Sequence, residues 1–283
     1  SAVHFAHDSL EWAKNNIKMP PVKTEVTRDP PDAVSSSEAS TFHFDEKTRA
    51  ALSALANQAL APGIDRQELL SEVKSELEDP SRIAQKKANT CGATSAQILL
   101  ARRDPAEYVR LISGLASPEG KVSMRGGENL ARKEDWQAED GGRTISSRLL
   151  QPAFMEVADG KLFVYDNRHD INLGLGAFPG VMPGGLAHLL EQLDGKERKV
   201  LFPMLGKSEE AWSKIRQAVG EKEIKEIPVA LNYQDKAPIA PAHWMLVTGV
   251  KDGFVHLINP RGWEEKMTVE EFRKNLLAAI VEP

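Results

Sequence analysis

The sequence predicts an α+β protein with a helical half up to about residue 158 and a strand-rich half after it. Two observations carry this. Apolar residues recur at helical spacing between about Asp45 and Ala158. Short β-branched and apolar runs bounded by Gly, Pro or Asp then follow from Lys161 onward.

Residues 1–44 read as an extended N-terminal segment. A short helix is expected from Asp8 to Asn16, and Pro20-Pro21, Pro30-Pro31 and Ser35-Ser-Ser37 mark a linker over 19–41. A helical extension over 45–80 comes next. Its first helix runs from Asp45 to about Leu60. Its second begins at Asp65, with Glu68 completing a capping box, and stops near Asp79-Pro80. The part from 81 to 158 holds a helix from Cys91 to about Arg103. A second starts at Asp104-Pro105-Ala-Glu107 and carries Tyr108, Val109, Ile112 and Leu115 on one side. Residues 117–142 form a Gly-rich, charged excursion with at most short strands, and a helix spans Arg143 to Ala158. In the part from 159 to 283, strands are expected at Lys161–Tyr165, Val200–Pro203, Ile227–Tyr233, Trp244–Val250 and Phe254–Ile258. Gly174–Gly185 is a loop, and helices run over Gly185–Leu193 and Ser208–Val219. Thr268-Val-Glu-Glu271 caps a terminal helix reaching about Ala279.

Composition excludes several classes. The net charge of −5 and the mixed-sign patches Lys196-Glu-Arg-Lys199 and Lys222-Glu-Ile-Lys225 give no basic stripe for nucleic acid. A single cysteine rules out an intrachain disulfide framework and multi-cysteine zinc patterns. No apolar run approaches the ~18 residues of a membrane span. The start, Ser1-Ala2, has no signal-peptide pattern, and without a leading methionine a removed targeting segment stays open. Gly174–Gly185 and Gly120-Lys121 lack the Gly-Lys-Ser/Thr ending of a phosphate loop. There is neither a Gly-x-Ser-x-Gly elbow nor a His-Glu-x-x-His pair.

What remains is Cys91 at the head of a helix, with Gln85 six residues before it. The positive end of a helix lowers a thiol pKa, and its N–H groups can hold an oxyanion, with a nearby amide as second donor. The competing reading is a small buried hydrophobe. Among the histidines, His4, His7 and His43 lie in the extension, His169 in a polar loop and His188 inside a helix. His243 and His256 share a hairpin. If Lys251-Asp252-Gly253 is a three-residue turn, Val250 faces Phe254 and Met245 faces Asn259. His243 and Asn259 then project from one face as diagonal neighbours, while His256, opposite Thr248, projects from the other. A two-residue turn would reverse this. Cys91, His243 and Asn259 are thus offered as nucleophile, base and orienter.

Gln85, Cys91 heading a helix, a strand-borne histidine and Asn259-Pro260-Arg261-Gly262-Trp263 together resemble the papain-like cysteine peptidase superfamily. The Asn-Pro-x-Gly run is similar to calpains. Gly92 and Ala93 after the cysteine are closer to the bacterial double-glycine-leader peptidases. No tryptophan follows the cysteine, and Lys86-Lys87 stands where those families usually place glycine or polar turn residues. The resemblance spans 85–263 and implies a two-lobed fold, with the site between a helical lobe and an antiparallel, barrel-like lobe. It also implies Gln85 as oxyanion donor, Cys91 as nucleophile, His243 as base and Asn259 as orienter. The expected activity is hydrolysis of a protein or peptide substrate without metal or organic cofactor. A deamidase, transglutaminase or acyltransferase would use the same triad, and an inactive binding module is a third reading. A cytoplasmic setting and a secreted or delivered bacterial effector both fit one free thiol.

Overall fold

The computed structural model describes residues 44–138, 142–160, 165–168, 170, 180–203, 206–220, 225–233 and 242–283. The expected helix at Asp8–Asn16, the 19–41 linker, His4, His7, His43, His169 and residues 161–164 of the expected Lys161–Tyr165 strand lie outside them.

Helix α1 (Glu46–Asn57) starts where Asp45 accepts a hydrogen bond from the Thr48 N–H at 2.7 Å. It stops three residues earlier than Leu60, where Arg66 binds Ala56 O in its last turn and the carbonyl of the capping Gln58, each at 2.7 Å. Helix α2 (Arg66–Glu78) is capped by Asp65, whose carboxylate accepts from Glu68 N. A 3₁₀ turn (Pro80–Arg82) follows, then α3 (Cys91–Arg103) and α4 (Pro105–Ala116), the latter capped by Asp104 with Pro105 in its first turn. Among its described residues the excursion after α4 holds one short pair of strands, β1 (Lys121–Ser123) and β2 (Asn129–Ala131). Helix α5 (Ile145–Asp159) starts from a Thr144 cap. Helix α6 (Pro183–Asp194) begins inside the glycine-rich run that reads as loop. Pro183 occupies its first turn, where a missing N–H costs nothing.

Leu52, Leu55, Leu69, Val73 and Leu77 of the first two helices join the same apolar core as Ile98, Leu111, Phe154 and Leu189. Between α2 and α5 lie two carboxylates. Glu76 is buried and accepts from Tyr108, Thr144 and Ser146. Glu72 accepts from Ile145 N at 2.7 Å, and burial, only partly offset by that bond, raises its pKa to about 7. Below about pH 4.5 this carboxyl is protonated folded and unfolded alike. Between there and about 7 the unfolded chain ionises first, so stability falls as pH rises. Glu72→Gln will therefore gain about 1 kcal/mol relative to the native chain at pH 8, allowing for its partial exposure, and nothing at pH 4. Urea unfolding at both pH values checks this, and an equal offset at both would contradict it.

The second half builds on β3 (Lys199–Leu201), α7 (Ser208–Gly220), β4 (Ile227–Asn232), β5 (Ala242–Lys251), β6 (Phe254–Asn259), β7 (Trp263–Thr268), α8 (Val269–Asn275) and β8 (Leu276–Val281). The six strands form one antiparallel sheet in the order β3-β8-β4-β5-β6-β7. It is an open sheet with β3 and β7 at its edges. No closed barrel exists among the described residues, which corrects the barrel-like expectation. Ala230, Trp244, Leu246, Ile258, Ala278 and Ile280 face the helical half. Val229, Leu231, Met245, Val247, Leu257 and Ala279 face the other way, under Trp212 and Ile215 of α7 and Phe272 of α8.

The terminal helix is a second correction. It keeps its Thr268–Glu271 capping box but ends at Asn275, and Leu276–Val281 is an interior strand between β3 and β4. Every residue of that strand is buried, so the sheet claims both of its faces. Such a strand reads as a continuous apolar run without the alternation that marks a half-exposed one.

The hairpin turn is a third. Lys251 pairs with Phe254, so the loop is the two-residue Asp252-Gly253, with φ of 53° and 81°. That register would put His243 and Asn259 on opposite faces. A bulge between Val247 and Gly249 shifts it back by one, giving Val247–Leu257 and Leu246–Ile258. The site end of the hairpin therefore has the register expected from a three-residue turn. His256 lies opposite Gly249 rather than Thr248.

Candidate active site

Cys91 is the first residue of α3, and Thr90 is its N-cap. Thr90 does not cap with its side chain. Its hydroxyl donates instead to Gln151 Oε1 at 2.8 Å, and Gln151 Nε2 donates to Gln97 Oε1 at 3.0 Å. Gln97 donates in turn to Tyr108, whose hydroxyl reaches Glu76. This buried polar chain pulls the capping hydroxyl inward and leaves the first-turn N–H groups of α3 beside the thiol. At the far end, Arg102 binds Glu226 at 2.7 Å, a cation at the negative end of the helix that also ties α3 to the residue before β4.

Gly92 follows the cysteine because nothing larger fits. A Cβ there would lie 2.9 Å from Val181 Cβ and 3.2 Å from Trp244 Cδ1. The Trp244 indole N–H donates to Val181 O at 2.7 Å, clamping α3 between the sheet and the entry to α6.

His243, near the start of β5, lies beside the Cys91 thiol on one side, close enough for the two to shift each other's titration. On the other, its Nε2 lies 2.9 Å from Asn259 Oδ1. An amide oxygen only accepts, so Nε2 carries a proton and Nδ1 is the nitrogen left for the thiol. The Tyr233 ring lies 5.3 Å from the imidazole, tilted by 33°. Asn259 is fully buried at the end of β6. Its Oδ1 also accepts from Arg261 N, and its Nδ2 donates to Glu265 Oε2 at 3.0 Å.

The electrostatics follow from these contacts. Burial pushes the Cys91 thiol up. The hydrogen bond and charge of His243, with the N–H groups of Trp244 and Gly92, outweigh it and hold the thiol below its ordinary value. Burial pushes His243 down. The thiolate, Asn259 and the charge of Glu265 outweigh that and raise it. The two groups titrate as a pair, with thiolate and imidazolium together over the interval between.

Gln85 enters through the backbone, where its N–H donates to Pro260 O at 2.8 Å and ties the segment before α3 to the turn after Asn259. Its side-chain Nε2 donates to Ala88 O at 2.7 Å, and its buried Oε1 has no partner. The structure thus brings Cys91, His243 and Asn259 together, with His243 hydrogen-bonded to Asn259 and Gln85 attached to the turn after it. His188 stands apart, exposed against Glu128 at 2.9 Å.

Glu265 and Tyr233 escape the sequence reading as members of the site, and Trp263 enters it only as the end of the Asn259–Trp263 run. All three meet around Asn259: Glu265 Oε2 accepts from Asn259 Nδ2, from the Trp263 indole at 2.8 Å and from the Tyr233 hydroxyl at 3.2 Å. The one signal for Glu265 in the sequence is its alternation with Trp263 and Met267 along one strand face.

Compared with known proteins, the chain matches no family model and no curated protein. Among the described residues no group of His, Cys, Asp and Glu could hold a metal ion, and no helix is long and apolar enough to cross a membrane.

Proposed function

We propose that the chain is a papain-like thiol hydrolase acting as a cysteine peptidase on protein or peptide substrates. The observation that carries this reading is His243 held between the Cys91 thiol and the Asn259 amide oxygen. His243 Nδ1 takes the Sγ proton, and the thiolate attacks a substrate carbonyl carbon. The carbonyl π pair moves to oxygen, where the Cys91 N–H and the Gln85 amide stabilise it. Collapse breaks the C–N bond, and the imidazolium protonates the leaving amine. Water then attacks the thioester, giving its proton to His243, and the C–S bond breaks to restore the thiol. Asn259 keeps the imidazole in the tautomer this sequence needs. The papain-like order of parts is retained, with an open sheet supplying the base and the orienter.

An unfolded protein such as reduced casein, incubated with the native chain and with Cys91→Ala, tests the reading by mass spectrometry. New peptide termini formed only by the native chain are expected. Ammonia release without cleavage would make it a deamidase, and products persisting in Cys91→Ala would place the chemistry elsewhere.

A further inference from the structure

We propose that Glu265 is a positioning residue of the site, a buried carboxylate that locks the Asn259 amide and, through it, the protonation state of His243. This rests on the Cys–His–Asn reading above and adds a fourth member that the reading does not require.

An amide is nearly symmetric in shape, and either edge could face the imidazole. Only the oxygen edge selects the tautomer with hydrogen on Nε2 and a lone pair on Nδ1. A carboxylate oxygen accepts and cannot donate, so the edge of Asn259 facing Glu265 Oε2, 3.0 Å away, is Nδ2. Oδ1 is then turned to His243 Nε2 and to Arg261 N. Turning the amide over would set oxygen against carboxylate and N–H against N–H. Glu265 is itself fixed from three directions: Asn259 at the end of β6, Tyr233 after β4 and Trp263 on its own strand all donate to Oε2. Its side chain is buried, and its remaining oxygen, Oε1, has no partner.

The same carboxylate places a negative charge behind the imidazole. Around His243, the ionisable groups among the described residues are Cys91 from α3, Tyr233 after β4 and Glu265 from β7. Around Glu265 they include Tyr233, at 3.2 Å, and His243. Glu265 therefore stabilises the imidazolium from the side away from the thiolate.

The test is the pH dependence of Cys91 alkylation by iodoacetate, an anion whose fast reaction needs thiolate and imidazolium together. In the native chain the rate should be bell-shaped. Glu265→Gln preserves the acceptor but removes the charge, and should move the upper limb down by about one pH unit. Glu265→Asp, which keeps the charge, should leave that limb near its native position. An upper limb unmoved in a folded Glu265→Gln protein would overturn the proposal. An ordinary, monotonic thiol titration in the native chain would instead overturn the Cys–His pair on which it rests. If Glu265→Gln does not fold, the His243 titration followed by NMR in Cys91→Ala decides, since no thiolate contributes there. Titration at or above the ordinary value of ~6.5 is expected. A midpoint more than a unit lower would mean that burial acts unopposed, and would overturn the proposal.

Discussion

Cys91→Ala, His243→Ala and the double variant will be about equally inactive, each losing roughly ten-thousand-fold to a million-fold in turnover of a peptide substrate. Groups that act as one unit are strongly non-additive, because removing either member ends the step both serve. That applies here, since the thiol and imidazole are buried together and each shifts the other's titration. His243→Ala also returns the thiol to burial without its cation, so its pKa should rise above that of an unburied cysteine. Steady-state kinetics of the three variants check the prediction. A double variant far slower than either single one would mean that Cys91 and His243 serve separate steps.

The largest effect on stability is expected at Trp244. Its ring is almost fully buried between the sheet and the start of α3, and its N–H satisfies Val181 O. Trp244→Ala should cost about 3–5 kcal/mol, the range for emptying an aromatic site in a core. Trp244→Phe keeps much of the volume but leaves a buried carbonyl unpaired, and should cost about 1–3 kcal/mol. Urea unfolding at pH 7 measures both. A loss below about 1 kcal/mol for Trp244→Ala would mean that the clamp around Gly92 carries little of the packing.

The helical half was open to sequence reading because its signals are local. Asp65 and Asp104 cap their helices through their own side chains, and Cys91 heads α3 as its position before an apolar run suggests. The hairpin carried less information. Asp252-Gly253 marks a turn but not its length, and the bulge beside Thr248 has no marker of its own. His243 and Asn259 share a face because these two departures cancel. Leu276–Val281 could not be told from a helix, since a strand buried on both faces has no alternation to show. Glu265 was hidden for another reason. Its partners come from three strands, and such convergence is a property of the sheet order rather than of any local spacing.

The central claim is that Cys91 and His243 form a thiolate–imidazolium pair. The rate of Cys91 alkylation by iodoacetamide against pH, in the native chain and in His243→Ala, tests it most directly. A thiolate that persists well below the free-cysteine pKa of ~8.5 in the native chain and is lost in the variant is expected. A slow titration near the ordinary value in both proteins would contradict it and make Cys91 a structural residue.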